Sequence, residues 1–385
     1  MSSLSIWTYY ANNKRKVIPV TGIIVLSILG VSSAGALTQS FFDDAAQEFA
    51  FYEHYATIDS RHLTGLSTAL IETVASHPAI AVVVSMASPR TRTQGIFGRS
   101  HNHIYFVAPA EQRALASRLG WRLVEGRWPE PATNEVAMTQ NFLRNRGLRI
   151  GDRIGRDVDV DDFLRGEWLI VGAFPATQVT GGIGDLDYRR ARFAEPDLPA
   201  EVAERPQAVA LVPVAGRETE MQAFLDSLPK DDVTVWHRSL ARELMADFVA
   251  NLNMIVWLLN VVGIVVISLS VGLLNVIFFM QRANEFGLLA ALGYTKRFLV
   301  RRTFLEAAFT VGAGWALGIL FSQGVYSAIS ALLFIPKGLA PLSILTPRVL
   351  LFTVPVPITV TLFSVAIVTW QLWRMDPVAI IERRD

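Results

Sequence analysis

QRANEFGLLAALGYTKRFLVRRTFLE, residues 281–306, is a basic connection between two apolar runs that are each long enough to cross a bilayer. Asn284 is a suitable N-cap for a short helix and Gly293 is a suitable stop, and the residues between them are largely apolar. Lysines and arginines follow directly, so the positive-inside rule places this helix in the cytoplasm. An apolar helix surface exposed there predicts a protein partner.

Hydropathy around this stretch predicts a membrane protein with four transmembrane α-helices and a large α+β extracytoplasmic domain inserted between the first and second helices. Lysine and arginine are concentrated on one side of the predicted spans, so both termini are predicted to be cytoplasmic in a multi-pass protein of the plasma (inner) membrane. The predicted segments are an N-terminal segment (1–16), helix 1 (17–37), the extracytoplasmic domain (38–251), helix 2 (252–280), a cytoplasmic helix and loop (281–303), helix 3 (304–334), helix 4 (349–373) and a cytoplasmic tail (374–385).

The first apolar run has a competing interpretation as a secretory signal peptide, because Ala34 and Ala36 form an A-x-A pattern. The uncharged run 17–37 is longer than the roughly 7–15 apolar residues of a signal core. We therefore expect an uncleaved anchor.

Composition limits the class of protein. The 385 residues are 51% hydrophobic and 18% charged, which is too apolar for an ordinary soluble protein and too charged for a chain buried wholly in membrane. A formal net charge of +1 predicts no nucleic-acid surface. The absence of cysteine excludes disulfides, thiolate metal sites and a cysteine nucleophile.

Two β/α patterns lie near the ends of the extracytoplasmic domain. Residues 79–86 and 207–214 read as buried strands, and helical patterns at 66–76 and 218–228 accompany them. This arrangement predicts a lobe built from both ends of the domain, with a second lobe inserted at about 109–205.

The connection 281–306 resembles the coupling-helix segment of FtsX-like permeases, the MacB/LolE type of ABC transporter permease subunit. The shared pattern is R-x-x-E-x-G-L-L-x-A-L-G-x-T, and Glu306 matches the acidic residue at the start of that family's third membrane helix. The chain departs from the family at Ala290, where arginine is usual. The residues that match the pattern are Arg282, Glu285, Gly287, Leu288, Leu289, Ala291, Leu292, Gly293 and Thr295.

The middle of the extracytoplasmic domain is similar to the periplasmic core domain of MacB-type permeases. The similarity lies in the order of a G-R-x-P turn, N-E-V, G-L-x-I-G-D and a strand that ends V-G-x-F, all between residues 126 and 174. This resemblance extends the family relation to the domain as well as to the membrane helices.

The resemblance implies a permease subunit that couples ATP hydrolysis in a separate cytoplasmic ABC ATPase to movement of the extracytoplasmic domain. Export or extraction of a lipid, lipoprotein, peptide or hydrophobic drug would follow. A second permease protomer, identical or not, and a periplasmic adaptor or other extracytoplasmic partner are also implied. The residues expected to contact the ATPase are Arg282, Glu285, Phe286, Gly287, Leu288, Leu289, Leu292 and Gly293.

Motifs for chemistry within the chain are scarce. No G-x-x-x-x-G-K-[ST] pattern occurs, so ATP and magnesium are expected in the partner subunit, with no cofactor, metal or catalytic residue in this chain. His101 and His103 alternate on a predicted strand, but no further ligand accompanies them and a surface strand is the better interpretation. The acidic run 157–162 lacks the calcium-loop pattern and predicts a solvated turn.

Three residues in the third span are further candidates. Glu306 is a carboxylate near the start of an apolar helix, so we expect a pairing with Arg301, Arg302 or the partner protomer, and a structural or coupling role in preference to proton transport. Gly314 and Gly318 are spaced for close helix packing, and this pair is a candidate contact between two protomers.

Two other functions remain open at this point. The chain could be a non-transporting FtsX-like regulator that activates an extracytoplasmic partner such as a cell-wall hydrolase. It could also be a membrane-tethered enzyme, although no catalytic motif supports that class.

Overall fold

A computed structural model describes residues 14–62, 64–95, 98–177, 179–193, 205–281, 288–289, 292–337, 339 and 341–374. The chain divides into two compact units. The membrane unit comprises Met1–Phe41, Ala250–Ser330 and Pro341–Asp385, and the α/β unit comprises Phe42–Val249 and Ala331–Ala340. The predicted N-terminal segment and C-terminal tail lie almost wholly outside the described residues.

Strands and helices are mixed between residues 56 and 236, and the elements from Arg238 onward are helical. The helices are α1 (Lys14–Phe49), α2 (Thr68–Ala75), α3 (Pro109–Arg118), α4 (Gln140–Arg146), α5 (Leu186–Phe193), α6 (Glu218–Asp226), α7 (Arg238–Gln281), α8 (Lys296–Ile329), α9 (Pro347–Thr353) and α10 (Pro355–Arg374). The strands are β1 (Ala56–Ser60), β2 (Ile80–Ala87), β3 (Arg90–Gly95), β4 (Gly98–Val107), β5 (Glu125–Gly126), β6 (Glu135–Thr139), β7 (Arg153–Ile154), β8 (Trp168–Phe174), β9 (Gly181–Asp185), β10 (Ala208–Pro213) and β11 (Val233–Trp236).

Four helical segments are long and apolar enough to cross a membrane: Ile18–Ser40, Arg238–Leu274, Lys296–Lys337 and Val349–Gln371. With the α/β unit between the first and second of them, they confirm the predicted fold class. The helices extend beyond the apolar runs from which they were predicted. α1 continues to Phe49, α7 begins at Arg238 and α8 begins at Lys296, because amphipathic or basic residues at these ends also form helix.

The fourth span is interrupted where its prolines lie. α9 ends at Thr353 and α10 begins at Pro355, so the helical pattern breaks at Val354. Proline removes a backbone donor and clashes with the preceding turn, which accounts for the break in this helix.

The α/β unit contains one sheet with the strand order β11-β1-β10-β2-β4-β9-β6-β8-β5, with β3 paired to β4 and β7 to β8. β11, β1, β10 and β2 are antiparallel neighbours, and they come from the two ends of the domain. β4 pairs with β9 in parallel, and β6 pairs with β8 in parallel. β2 and β4 are joined through the pairs Met86–Val107 and Ala87–Phe106.

The sheet is therefore continuous across the two predicted lobes. The hairpin formed by β3 and β4 lies on the side of the inserted lobe, although it precedes residue 109, where that lobe was expected to begin. Its apolar face packs against large buried side chains of the inserted segment. Phe106 contacts Trp168 at a ring-centroid distance of 4.6 Å, and Tyr105 lies 6.0 Å from Trp121.

The segment 157–162 is a turn with exposed Asp157 and Asp161, as predicted, but it is not wholly solvated, because Asp159, Asp161 and Asp162 pair with arginines from other segments. Asp162 is 2% exposed and forms an ion pair with Arg146. Its carboxylate also accepts hydrogen bonds from the Thr91 hydroxyl at 3.1 Å and the Arg92 backbone amide at 3.1 Å. Further pairs are Arg92–Asp159 at 3.0 Å, Arg92–Asp161 at 3.5 Å, Arg146–Asp159 at 2.8 Å and Arg99–Asp161 at 2.8 Å. These ion pairs and hydrogen bonds hold the loop 157–162 against β3.

Candidate functional site

The segment between α7 and α8 contains a short helical turn that ends at Gly293. The Leu292 amide donates to the Leu288 carbonyl at 3.0 Å, and the Tyr294 amide donates to the Leu289 carbonyl at 3.1 Å. The second bond skips Gly293, whose φ of +90° lies in the left-handed region. This is the glycine-terminated C-cap of a helix, as Gly293 predicts from the sequence.

The leucines of this turn point in different directions. Leu288 is 62% exposed and Leu292 is 69% exposed, and they are one helical turn apart. Leu289 instead packs against the buried side chains of Leu299 and Val368. One leucine therefore anchors the turn to the membrane unit, and two neighbouring leucines present an apolar surface. We call Leu288 and Leu292 the exposed leucine pair.

α8 begins directly after this turn. Thr295 has an extended backbone, and its hydroxyl accepts a hydrogen bond from the Phe298 amide at 3.3 Å. The rings of Tyr294 and Phe298 lie 5.1 Å apart, which closes the short connection between the turn and the helix. Only Tyr294 and the capping Thr295 separate the glycine stop from the first residue of α8.

Four of the predicted coupling residues, Leu288, Leu289, Leu292 and Gly293, thus lie on this turn. Arg282, Glu285, Phe286 and Gly287 lie outside the described residues. Lys296, Arg297 and Arg301 follow on the first turns of α8 and are exposed. Three exposed positive charges therefore follow the exposed leucine pair along the chain.

Glu306 lies in the buried part of α8 and is 8% exposed. Of the predicted partners, the structure pairs it with Arg302, whose Nε lies 3.1 Å from Oε1 of Glu306. The two residues are four apart on one helix, so their side chains lie on the same face. Arg301 points to the exposed side of the helix.

This geometry predicts unequal effects of removing two neighbouring arginines. We expect Arg302→Gln to lower stability by about 1.5–3 kcal/mol, because the buried carboxylate of Glu306 loses a charged hydrogen bond. Arg301→Gln is the matched control and should leave stability within about 0.5 kcal/mol. Thermal unfolding of the two variants in detergent measures the difference, and equal midpoints would contradict the assigned pairing.

Gly314 and Gly318 face α1 of the same chain. A Cβ atom at Gly314 would lie 3.0 Å from Cγ2 of Ile24, and one at Gly318 would lie 2.8 Å from Cβ of Ile28. Ile24 and Ile28 are fully buried. The predicted contact between protomers through this glycine pair is therefore wrong, because α1 occupies that face. The small-residue spacing does serve intramembrane packing, but within one chain.

A tyrosine that the sequence analysis did not select joins the same two helices. The Tyr326 hydroxyl on α8 hydrogen-bonds the Ser33 hydroxyl on α1, and Tyr326 is 5% exposed. The sequence could have indicated this contact, because a tyrosine within an apolar span needs a hydrogen-bond partner for its buried hydroxyl.

One carboxylate in the α/β unit links the turn that follows α1 to the first turns of α7. Glu53, in the 3₁₀ turn Ala50–Glu53 after α1, accepts hydrogen bonds from Arg242 Nε at 2.8 Å and from Arg238 Nε at 2.6 Å. The Arg242 hydrogen bond, followed by that of Arg238, holds the pKa of Glu53 below its ordinary value. We call this arrangement the Glu53 clasp.

The histidine pair forms no metal site in the described part of the chain. His101 and His103 lie on β4 with ring centroids 5.9 Å apart, and Nδ1 of His103 lies 2.9 Å from the Ser88 carbonyl oxygen. No group of three or more histidine and acidic side chains with metal-binding geometry occurs among the described residues.

Comparison with known proteins identifies similar sequences and folds. Residues 257–377 match the family model of the FtsX-like permease C-terminal domain. Among solved structures, the periplasmic region of MacB from Actinobacillus actinomycetemcomitans is 13% identical, with 51% of this chain and 95% of that chain covered and a TM-score of 0.32. The extracellular domain of the noncanonical ABC-type transporter YknZ from Gram-positive bacteria is 8% identical, with 48% and 100% covered and a TM-score of 0.30. No curated protein sequence matches the chain.

Proposed function

On the premise that residues 257–377 form an FtsX-like permease domain, we propose that the chain is the membrane subunit of an ABC transporter complex. A separate cytoplasmic ATPase subunit binds ATP and magnesium, and this chain carries no cofactor of its own. The exposed leucine pair supports this proposal most directly, because it is an apolar surface between two membrane spans inside the matched family region.

In this proposal the ATPase packs against the exposed leucine pair. The basic side chains at the start of α8 support a cytoplasmic location for this surface, and with it for both termini, by the positive-inside rule. Leu289 and the capped start of α8 fix the turn to the membrane unit, so a displacement of the turn is transmitted to α8 instead of being absorbed locally.

The mechanical route to the α/β unit runs through α7. This helix has 44 residues from Arg238 to Gln281, and at 1.5 Å per residue it is about 66 Å long. No proline lies within it to introduce a kink. The Glu53 clasp ties its first turns to the segment that follows α1. Movement that begins at the exposed leucine pair thereby reaches the extracytoplasmic domain.

The proposed transported substrate is a lipid, lipoprotein, peptide or hydrophobic drug. The complex would export it from the cell or extract it from the membrane. The complex would contain a second permease protomer and an adaptor or other extracytoplasmic partner. The packing of α1 on the glycine face of α8 means that the second protomer uses a different surface.

The proposal is tested by purifying the full chain from its host in detergent and measuring ATP hydrolysis in the purified complex. We expect a nucleotide-binding subunit to co-purify in stoichiometric amount and to hydrolyse ATP. Recovery of folded chain without any such subunit would contradict the proposal. Co-purification of a hydrolase whose activity depends on ATP would favour the regulatory function instead.

A further inference from the structure

A cavity of about 380 Å³ lies in the α/β unit, on one face of the sheet. Its floor is formed by residues of β11, β1, β2 and β4, and the 3₁₀ turn Ala50–Glu53 contributes to its wall. The volume lies within the range of small-molecule sites in proteins. No motif of the sequence marks this cavity, because its residues come from four separate parts of the chain.

Aromatic rings form two sides of the cavity. Phe51 stacks on Tyr105 with ring centroids 4.4 Å apart and an interplanar angle of 12°. Tyr52 stacks on Trp236 with ring centroids 5.5 Å apart and an angle of 20°. Phe51 and Tyr105 are almost fully buried, whereas Tyr52 and Trp236 are half-buried, so the second stacked pair presents a preformed π surface to the cavity. Such surfaces attract ammonium groups.

Asp59 supplies a carboxylate in the same cavity. The Thr57 hydroxyl donates a hydrogen bond to Oδ2 of Asp59 at 2.9 Å, and both side chains lie on the same face of β1. Asp59 forms no ion pair within the described part of the chain. Burial raises the pKa of Asp59, and the Thr57 hydrogen bond opposes this effect only in part.

Arg90 lines the cavity from the start of β3 and is exposed. Among the residues that the structure describes, it likewise has no carboxylate within ion-pair distance. The cavity therefore contains one negative and one positive side chain, both without a charged protein partner there, beside a π surface. A ligand with one positive and one negative group would complement both of them.

From this arrangement we infer that the cavity binds a small zwitterion that carries an ammonium group and an anionic group. The ammonium lies against the aromatic rings and pairs with Asp59, and the anionic group pairs with Arg90. This chemistry is shared by the headgroups of zwitterionic phospholipids and by free amino acids or peptide termini. The site does not depend on the ATPase proposal, since all of its groups lie in the α/β unit.

The test is isothermal titration of the full chain in a maltoside detergent. One arm uses glycerophosphoethanolamine and glycerophosphocholine as headgroup probes, and the other uses glycine and lysine. We expect at least one arm to bind with a Kd of about 1 mM or tighter. Binding confined to the first arm assigns a lipid headgroup, and binding confined to the second assigns an amino acid or peptide.

Variants assign the binding to the proposed groups. Asp59→Asn keeps the shape and the Thr57 hydrogen bond but removes the charge, and we expect affinity to fall about tenfold or more. Trp236→Leu should also weaken binding about tenfold through the lost π surface. Asp231→Asn, an exposed acid in the same unit, is the matched control and should bind as the native chain does.

A stability measurement separates loss of binding from loss of folding. Because burial raises the pKa of Asp59, ionising this carboxyl destabilises the folded chain as pH rises above the ordinary aspartate range. Asp59→Asn removes that cost, so we expect an unfolding midpoint at pH 7 that is equal to or above that of the native chain. Full affinity in Asp59→Asn, or no binding in either arm by the native chain, would overturn the inference.

Discussion

Leu292→Asp is expected to abolish co-purification of the ATPase while leaving the chain folded. Leu292 is 69% exposed, so a carboxylate at this position remains in water when the chain is alone. Once a partner covers the exposed leucine pair, the same carboxylate must lose its hydration without a compensating cation. We expect a loss of about 2 kcal/mol or more in binding, which corresponds to a roughly 30-fold weaker complex. The measurement is the amount of nucleotide-binding subunit recovered per folded chain.

Leu345→Asp is the matched control for this experiment. Leu345 is 56% exposed in the connection between α8 and α9, which the proposed orientation places outside the cytoplasm. The same substitution there should leave co-purification unchanged. Equal recovery with Leu292→Asp and the native chain would remove the exposed leucine pair from the proposed interface. Loss of recovery with both variants would indicate a general defect in the membrane unit.

Gly318→Leu is expected to prevent the stable assembly of the membrane unit. The first atom of any side chain at this position would lie 2.8 Å from Cβ of Ile28, and that Cβ belongs to a side chain with no exposed surface. Neither helix can yield by a rotamer change alone, so α1 and α8 must separate. Overpacking of this kind costs about 3 kcal/mol or more, because the isoleucine contacts along α1 are lost together. The measurement is the temperature at which half of the detergent-solubilised chain remains monodisperse.

Gly312→Leu and Gly324→Leu provide two controls on the same helix. A Cβ at either position has no atom within 4 Å, so a leucine there has open space. We expect their midpoints to lie close to that of the native chain. A Gly318→Leu midpoint that matches these controls would show that α1 does not pack on this face. If the midpoint fell in all three variants, the cause would be the leucine substitution itself and not the close approach of the two helices.

The order of spans and the helix stop at Gly293 are predictable because their causes are local. Hydrophobic length, flanking basic residues and a glycine after an apolar turn are all read from neighbouring positions. The ends of the helices are harder to predict from hydropathy. α8 begins at Lys296 because Thr295 caps it, whereas the apolar run begins several residues later.

Interactions between distant residues account for the remaining differences. The spacing of Gly314 and Gly318 indicates that a close neighbour exists, but small side chains carry no information about which helix that neighbour is. Asp162 reads as part of a solvated acidic run because Arg146 and Thr91 lie in other elements. The cavity beside Asp59 was missed for the same reason, since the strand order of the sheet alone brings Trp236 and Tyr105 near it.

Close contact between α1 and α8 limits how these two helices can move relative to each other. Gly314 and Gly318 bring the two helix backbones together along two consecutive turns, and the Tyr326–Ser33 bond lies further along the same seam. Interlocked isoleucines on this seam resist both sliding and rotation. We therefore expect α1 and α8 to move together as one rigid body when a force acts on the start of α8.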